Sequence, residues 1–148
     1  MMMRRSLWIM SLVLTLASCA STKPVSNVAD LRGNISGQTL AEDTVLQLSK
    51  LFPPAKTQLY FTRTADDAFG RALVAGLREQ GYAIEETAAH PAGEQMQHDG
   101  LPVAYIIDPI VGDTGYRVSL MVGNGVLSRA YSVYRDGSLS GGAWAYRE

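Results

Sequence analysis

Cysteine is almost absent from this chain of 148 residues, which contains only Cys19. A single thiol cannot form an intrachain disulfide, and it cannot supply the several cysteine ligands of a structural zinc site. An excess of one charge is absent too, because 13 lysines and arginines face 14 aspartates and glutamates. Nucleic-acid-binding domains usually cluster basic residues on one face. The composition therefore favours a domain that is stabilised by packing and has no direct nucleic-acid partner.

A long hydrophobic run is also missing. The apolar stretch Leu7 to Leu16 is much shorter than the roughly 20 residues that a membrane-spanning helix needs. It follows Arg4 and Arg5 and precedes a group of small residues, which is the layout of a signal peptide. We expect residues 1–18 to direct export and then to be removed.

The end of that stretch, Leu16-Ala17-Ser18-Cys19, resembles the bacterial lipobox. The resemblance implies that the Cys19 thiol accepts diacylglycerol, that cleavage follows before Cys19, and that an N-acyl chain is added. Two or three acyl chains anchor a protein firmly, whereas one chain anchors it only marginally. Because Ala20 rather than aspartate follows the cysteine, the usual sorting rule predicts the periplasmic face of the outer membrane. The alternative is an ordinary signal peptide whose cysteine is incidental.

Histidine is scarce, since only His90 and His98 are present. Both fall in a predicted polar loop, Thr87 to Leu101, where histidines are usually exposed and solvated. A hydrolytic triad needs an imidazole base beside a nucleophile and an acid, and no pattern in the sequence indicates such a set. No residue spacing matches a closed zinc site. We therefore predict that the protein is not an enzyme and has no metal, cofactor or small-molecule substrate.

The segment 19–38 is rich in Ser, Thr, Asn and Gly and shows no sustained apolar period. It predicts a flexible tether, which could extend to about 60 Å at about 3.3 Å per residue. The alternative is that Val25, Val28 and Leu31 pack part of it against the domain. Either way, regular structure is expected from residue 39 onward.

Two helices are predicted next, the first capped by Thr39 with Glu42 completing a capping box. The second is predicted to begin after Thr64 and to stop at Gly81. Glycines inside a helix are unfavourable, so those inside the second helix indicate close packing against another element. Tight turns are expected at 123–125 and 136–137. The predicted strands are Gln58–Thr62, Tyr82–Glu86, Val103–Ile107, Tyr116–Val122, Val126–Tyr134 and Ser138–Tyr146.

Helices early in the chain and strands late in it are typical of an α+β fold. We predict a single periplasmic domain, residues 39–148, in which two N-terminal helices pack on a largely antiparallel sheet of about five to six strands.

Aromatic residues and arginines accumulate toward the end of the sequence. Both types are enriched at protein interfaces because they combine a large contact area with hydrogen bonding. The same aromatic residues are also good strand formers, which is the alternative explanation. The candidate partner contacts are Arg129, Tyr131, Trp144 and Tyr146.

Several segments together resemble TrbH, a family of small lipoproteins of bacterial conjugal transfer systems. In order and spacing they cover most of the chain beyond the predicted tether. They are Leu51-Phe52-Pro53-Pro54-Ala55-Lys56-Thr57, Asp67-Ala68-Phe69-Gly70, Ala72-Leu73-Val74, Leu77-Arg78, Gly81-Tyr82-Ala83, Gly100-Leu101-Pro102, Tyr116-Arg117-Val118, Leu127-Ser128-Arg129-Ala130-Tyr131 and Gly142-Ala143-Trp144.

The resemblance implies a structural or accessory role in the mating-pair formation apparatus, a type IV secretion system that transfers plasmid DNA between cells. The expected partners are other proteins of that channel, and the only functional residue carried over is Cys19. An alternative function is a periplasmic module that binds cell-wall glycan on its aromatic strands. A hydrolase that uses one of the two histidines is a further hypothesis.

Overall fold

The structure is a computed structural model that describes residues 27–28, 31, 36–86, 98–112 and 115–148. Its elements confirm the predicted α+β class, and most of the strand pairing is antiparallel, although the sheet also contains parallel pairs. The helices are α1 (Gly37–Leu51) and α2 (Ala68–Glu79), with a short 3-10 turn at Pro54–Lys56. The strands are β1 (Asn27–Val28), β2 (Gln58–Phe61), β3 (Ala83–Glu86), β4 (Leu101–Pro109), β5 (Gly115–Val122), β6 (Gly125–Val133), β7 (Leu139–Gly141) and β8 (Ala145–Arg147).

Helix α1 begins earlier than predicted. Its cap is Ser36, whose hydroxyl accepts a hydrogen bond from the backbone amide of Gln38 at 3.2 Å. The predicted cap, Thr39, was wrong, because it lies inside the first turn. Glu42 completes no capping box there, since its carboxylate accepts a hydrogen bond from the Gln38 side chain at 2.9 Å. The buried face of the helix consists of Gly37, Leu40, Ala41, Thr44, Val45 and Leu48.

Helix α2 also has a different cap from the one predicted. Asp67 caps it by accepting a hydrogen bond from the Gly70 amide at 2.8 Å, so the prediction of Thr64 was wrong. Aspartate and threonine are both good caps, and the choice between them depends here on contacts with the sheet. The end of the helix agrees with the prediction, because Gly81 follows it with a φ of +89°.

The sheet has the order β3-β2-β4-β5-β6-β7. Strands β2 and β3 are parallel neighbours joined by α2, and β4 lies parallel to β2 on its other side. Strand β1 is also parallel to β4 and extends the row begun by β2. From β4 onward the strands form the predicted antiparallel meander, with the β5–β6 hairpin turning at Gly123 and Asn124. The parallel half was not predicted.

The last predicted strand, Ser138–Tyr146, is divided in two. Strands β7 and β8 both pair with β6, through Tyr131↔Gly141 and Ser128↔Ala145 respectively. Between these pairs β6 advances three residues while the outer strand advances four, so the outer strand carries one extra residue. That is a β-bulge, and it bends the edge of the sheet.

The two helices cover one face of the sheet and form the core with it. Alternate residues of the central strands point toward them, and these are fully or nearly fully buried. Gly76 lets α2 approach α1, since a Cβ there would lie 3.1 Å from a methyl of Val45. The core residues from the central strands are Leu59, Phe61, Val103, Tyr105, Ile107, Tyr116, Val118, Leu120, Val122, Leu127 and Tyr131.

The boundary predicted at residue 39 differs from the structure. Strand β1 pairs Asn27–Val28 with β4, and Leu31 is partly buried against the core. Within the described residues, part of this segment therefore packs on the domain, through the pairing of β1 and the partial burial of Leu31, whereas Val25 lies outside those residues. Within the described residues, neither helix is long and apolar enough to cross a membrane.

Candidate functional site

The lipobox residues Leu16, Ala17, Ser18 and Cys19 lie outside the described residues, as does His90. Lipid attachment at Cys19 therefore stays a prediction. The other candidate residues can be placed.

Arg129 and Tyr131 come together on the helix-covered face, where both contact Asp43 of α1. Nη1 of Arg129 donates to the Asp43 carboxylate at 2.6 Å, and the Tyr131 hydroxyl donates to the same oxygen. The Arg129 guanidinium lies 5.3 Å from the centroid of the Tyr131 ring, close enough for a cation–π contact. Burial and the bond to Asp43 raise the pKa of the Tyr131 hydroxyl above its ordinary value. These residues join α1 to β6, which is an intramolecular role.

Glycine and tryptophan complete the surroundings of Arg129. A Cβ at Gly141 would lie 2.4 Å from the guanidinium, so only a residue without a side chain fits at this position of the edge strand. The Trp144 ring lies on another side, with its centroid 5.7 Å from the guanidinium carbon. Nε of Arg129 is buried and has no hydrogen-bond partner within the described structure. The bulged edge strand therefore wraps around the end of this arginine.

Tyr146 is the most exposed of the four candidate contacts, with 39% of its surface accessible. Its ring lies over Gly125 and meets Phe52 edge-on, with the ring centroids 6.0 Å apart. Its hydroxyl donates to the Glu148 carboxylate at 3.2 Å. Tyr146 therefore remains available to a partner, whereas Tyr131 is only 5% exposed.

A second tyrosine–aspartate contact, which the sequence did not reveal, fixes α2. The hydroxyl of Tyr105 on β4 donates to Asp67, the same residue that caps the helix. A Cβ at Gly70 would lie 2.1 Å from that hydroxyl oxygen, so only glycine leaves room for it. Burial and the bond to Asp67 raise the pKa of Tyr105. The unfavourable glycine inside α2 was the one signal in the sequence, and its partner lies 35 residues away.

The prediction that His98 is a solvated loop residue was wrong. Its ring stacks on Tyr60 with the centroids 4.6 Å apart, and Nδ1 lies 2.8 Å from the Glu85 carboxylate. Its side chain is 18% exposed. These contacts fix the entry to β4 against β2 and β3. Over the described ranges, no three His, Cys, Asp or Glu residues are grouped as metal ligands.

The face of the sheet opposite the helices carries a shallow groove of about 430 Å³. Its floor is a row of small side chains across three strands, Ser119, Ser128 and Ala145, which the register places side by side. Arg117 and Arg147 lie on opposite sides of that row, at diagonally opposite corners of the groove. This groove could not be predicted from the sequence, because it depends on the register of β5, β6 and β8.

The comparisons with known proteins identify one family. The model described as conjugal transfer protein TrbH matches residues 21–148. No curated protein and no solved structure matches the chain.

Proposed function

Because the chain belongs to the TrbH family of conjugal transfer proteins, we propose that it is an outer-membrane lipoprotein of a conjugative type IV secretion system. In this proposal Cys19 carries the lipid, and the α+β domain acts as a non-catalytic structural or accessory component that contacts other channel proteins. The single observation that carries the proposal is the match over residues 21–148, which covers the whole folded part.

The N-terminal sequence supports the lipid anchor. The match begins two residues after Cys19, so the lipobox stands immediately before the family-specific part of the chain. This is where a mature lipoprotein would begin. Ala20 supports the outer membrane, since the sorting rule retains lipoproteins with an aspartate at that position in the inner membrane.

The polar contacts of the interior support a structural role. The most buried tyrosine hydroxyls and the helix aspartates are bonded to one another, and each pair joins a helix to the sheet. Such contacts fix the relative positions of the elements. A domain of this kind is suited to present a constant surface to a partner.

The Cys19→Ser variant tests the anchor. It should lose labelling by a palmitate analogue and should move from the membrane fraction to the soluble fraction, because no thiol remains to accept lipid. Ser18→Ala is the matched control, since a small residue is kept before the cysteine and labelling should persist. Acylation of the Cys19→Ser protein would contradict the proposal.

The transfer role is tested separately in donor cells that lack the gene. Deletion should lower the frequency of plasmid transfer, the native chain should restore it, and Cys19→Ser should restore it less well. Ala20→Asp should retain the protein in the inner membrane, which fractionation detects. Unchanged transfer after deletion would contradict the proposed role even if the lipid is present.

A further inference from the structure

The open face of the sheet has the chemistry of a binding site for carboxylates. Six residues line its groove, and they include two arginines and no acidic residue. Glu148 lies close in sequence, but its carboxylate is bonded to the hydroxyl of Tyr146, whose ring lies on the helix side. The lining residues of the groove therefore carry only positive charge, although the Asp108 carboxylate beside the groove pairs with one of the two arginines, Arg117.

The two arginines differ in the hydrogen bonds that their side chains make. Arg117 is held by Asp108 through two hydrogen bonds, one of them from Nε at 3.2 Å, while 57% of its side chain remains exposed. This leaves Nη1 without a bond to Asp108 and fixes the plane of the guanidinium. The side chain of Arg147 has no hydrogen-bond or ion-pair partner anywhere in the described residues. A pre-oriented arginine and an unpaired one can each bind a carboxylate.

The register sets the distance between them. Arg117 lies two residues before Ser119 on β5, and Arg147 lies two residues after Ala145 on β8. Two strand spacings of about 4.8 Å and four residue steps of about 3.3 Å separate their Cα atoms by about 16 Å. Arginine side chains that reach inward shorten this span. Carboxylates on alternate residues of an extended segment, about 7 Å apart, or four residues apart, about 13 Å, would fit between them.

From these observations we propose that the groove on the open face binds an acidic, extended segment of a partner protein, with one carboxylate at Arg117 and another at Arg147. The small floor residues give the segment room to lie against the sheet, and the hydroxyls of Ser119 and Ser128 are available to its backbone. This inference rests on the proposed function, because it names the surface by which the domain contacts a channel protein.

A protein segment fits these observations better than a membrane surface does. Segments that bind anionic lipid surfaces usually carry clusters of about four to eight basic residues, whereas this groove has two. Here the two arginines flank a depression, and the floor between them is made of the shortest side chains. The expected binding is weakened by salt, since both charges are exposed.

The first test measures binding of the full-length chain, purified in detergent, to a fluorescein-labelled peptide of alternating glutamate and glycine. The chain should prefer it to the matching glutamine–glycine peptide. The double variant Arg117→Gln, Arg147→Gln should bind about tenfold more weakly, as expected for two exposed charge pairs. Arg135→Gln, at an exposed turn outside the groove, is the matched control and should bind like the native chain.

A second variant controls for the possibility that the double variant loses binding because it misfolds. Ala145→Glu adds a carboxylate to the exposed floor and removes no arginine, so it should weaken binding of the glutamate peptide while thermal unfolding stays unchanged. Equal binding of both peptides, or no effect of either variant, would overturn the proposal. Vesicles of phosphatidylglycerol and phosphatidylethanolamine form a parallel arm. Arginine-dependent vesicle binding without a preference for the glutamate peptide would also overturn it.

Plasmid transfer separates this inference from the proposed function. If the double variant restores transfer as well as the native chain does, while deletion abolishes it, the groove proposal fails and the proposed function stands. If deletion has no effect, both fail. A loss of transfer by the double variant and by Ala145→Glu, with normal levels in the membrane, would support the groove.

Discussion

Helices α1 and α2 are each joined to the sheet by a tyrosine hydroxyl that donates to a helix aspartate, but the two contacts have different surroundings. Tyr105 is fully buried and meets Asp67, which also caps α2. Tyr131 lies near the edge and shares Asp43 with Arg129. The inner contact is built around a neutral tyrosine and a helix cap, and the outer one includes an ion pair. Water is nearer to the outer contact, because the Asp43 and Arg129 side chains are 32% and 21% exposed.

Tight packing holds the inner contact, whereas an ion pair contributes to the outer one. At the inner contact there is no space for another atom, since Gly70 is in contact with both Tyr105 and Ala65. At the outer contact the edge strand has a glycine at position 141, next to Arg129, and a β-bulge follows it. The inner contact should therefore tolerate substitution less well than the outer one.

The largest effect is expected from Gly70→Ala. The new Cβ would displace the Tyr105 hydroxyl from Asp67 and overpack the site, which should cost about 4 kcal/mol of unfolding free energy. Gly76→Ala in the same helix is the control and should change stability by about 1 kcal/mol or less, because it meets only a methyl of Val45. Urea denaturation measures both. Similar losses for the two variants would remove the argument that Tyr105 makes Gly70 necessary.

Smaller losses of unfolding free energy are expected when Asp67 or Asp43 is replaced by alanine, and the two losses should differ. Asp67→Ala removes a helix cap and leaves a buried hydroxyl without its acceptor, so it should lower the free energy of unfolding by about 3 kcal/mol. Asp43→Ala should cost about 2 kcal/mol, since water can reach Arg129. Glu86→Ala, which breaks the surface pair with Arg78, is the control and should cost less than about 0.5 kcal/mol. If Asp43→Ala proved the more damaging variant, the ranking of the two contacts would be reversed.

The smallest effect concerns alkaline pH. Both tyrosines have raised pKa values in the folded state, so the unfolded chain releases their protons first as the pH rises. Stability is retained below about pH 10, the ordinary tyrosine pKa, and falls above it by about 1 kcal/mol for each tyrosine at pH 11. Tyr105→Phe and Tyr131→Phe should each remove their share of this dependence, as measured by denaturation at pH 8 and pH 11. A variant that keeps the native slope would show that its tyrosine does not titrate in this way.

Elements with local signals were predictable from the sequence. The apolar period of α2, its glycine stop and the two-residue turn before β6 all depend on residues close together in the chain. Each cap was missed by three residues, because several good capping residues precede each helix. Asp67 was preferred over Thr64 by its bond to Tyr105, 38 residues away.

Features that depend on register were not predictable. The contacts of Asp43 with Arg129 and Tyr131, 86 and 88 positions later, and the close approach of Gly141 to Arg129 arise only when β6 is placed beside α1 and β7. The groove on the open face has the same origin, since its floor comes from three strands. The composition of β6 indicated contacts for Arg129 and Tyr131, but not that those contacts lie within the molecule.

Strand β1 sets how far the domain can stand from a membrane. Its first residue, Asn27, pairs with Ile106 of β4, so no more than the eight residue steps from Cys19 to Asn27 can span a gap. At about 3.3 Å per residue they reach about 26 Å, less than half of what a tether running to residue 38 would allow. With the lipid on Cys19, the edge of the sheet would stay within one small-domain diameter of the headgroups. Under the proposed lipid anchor, partners would have to meet the domain there, close to the membrane surface.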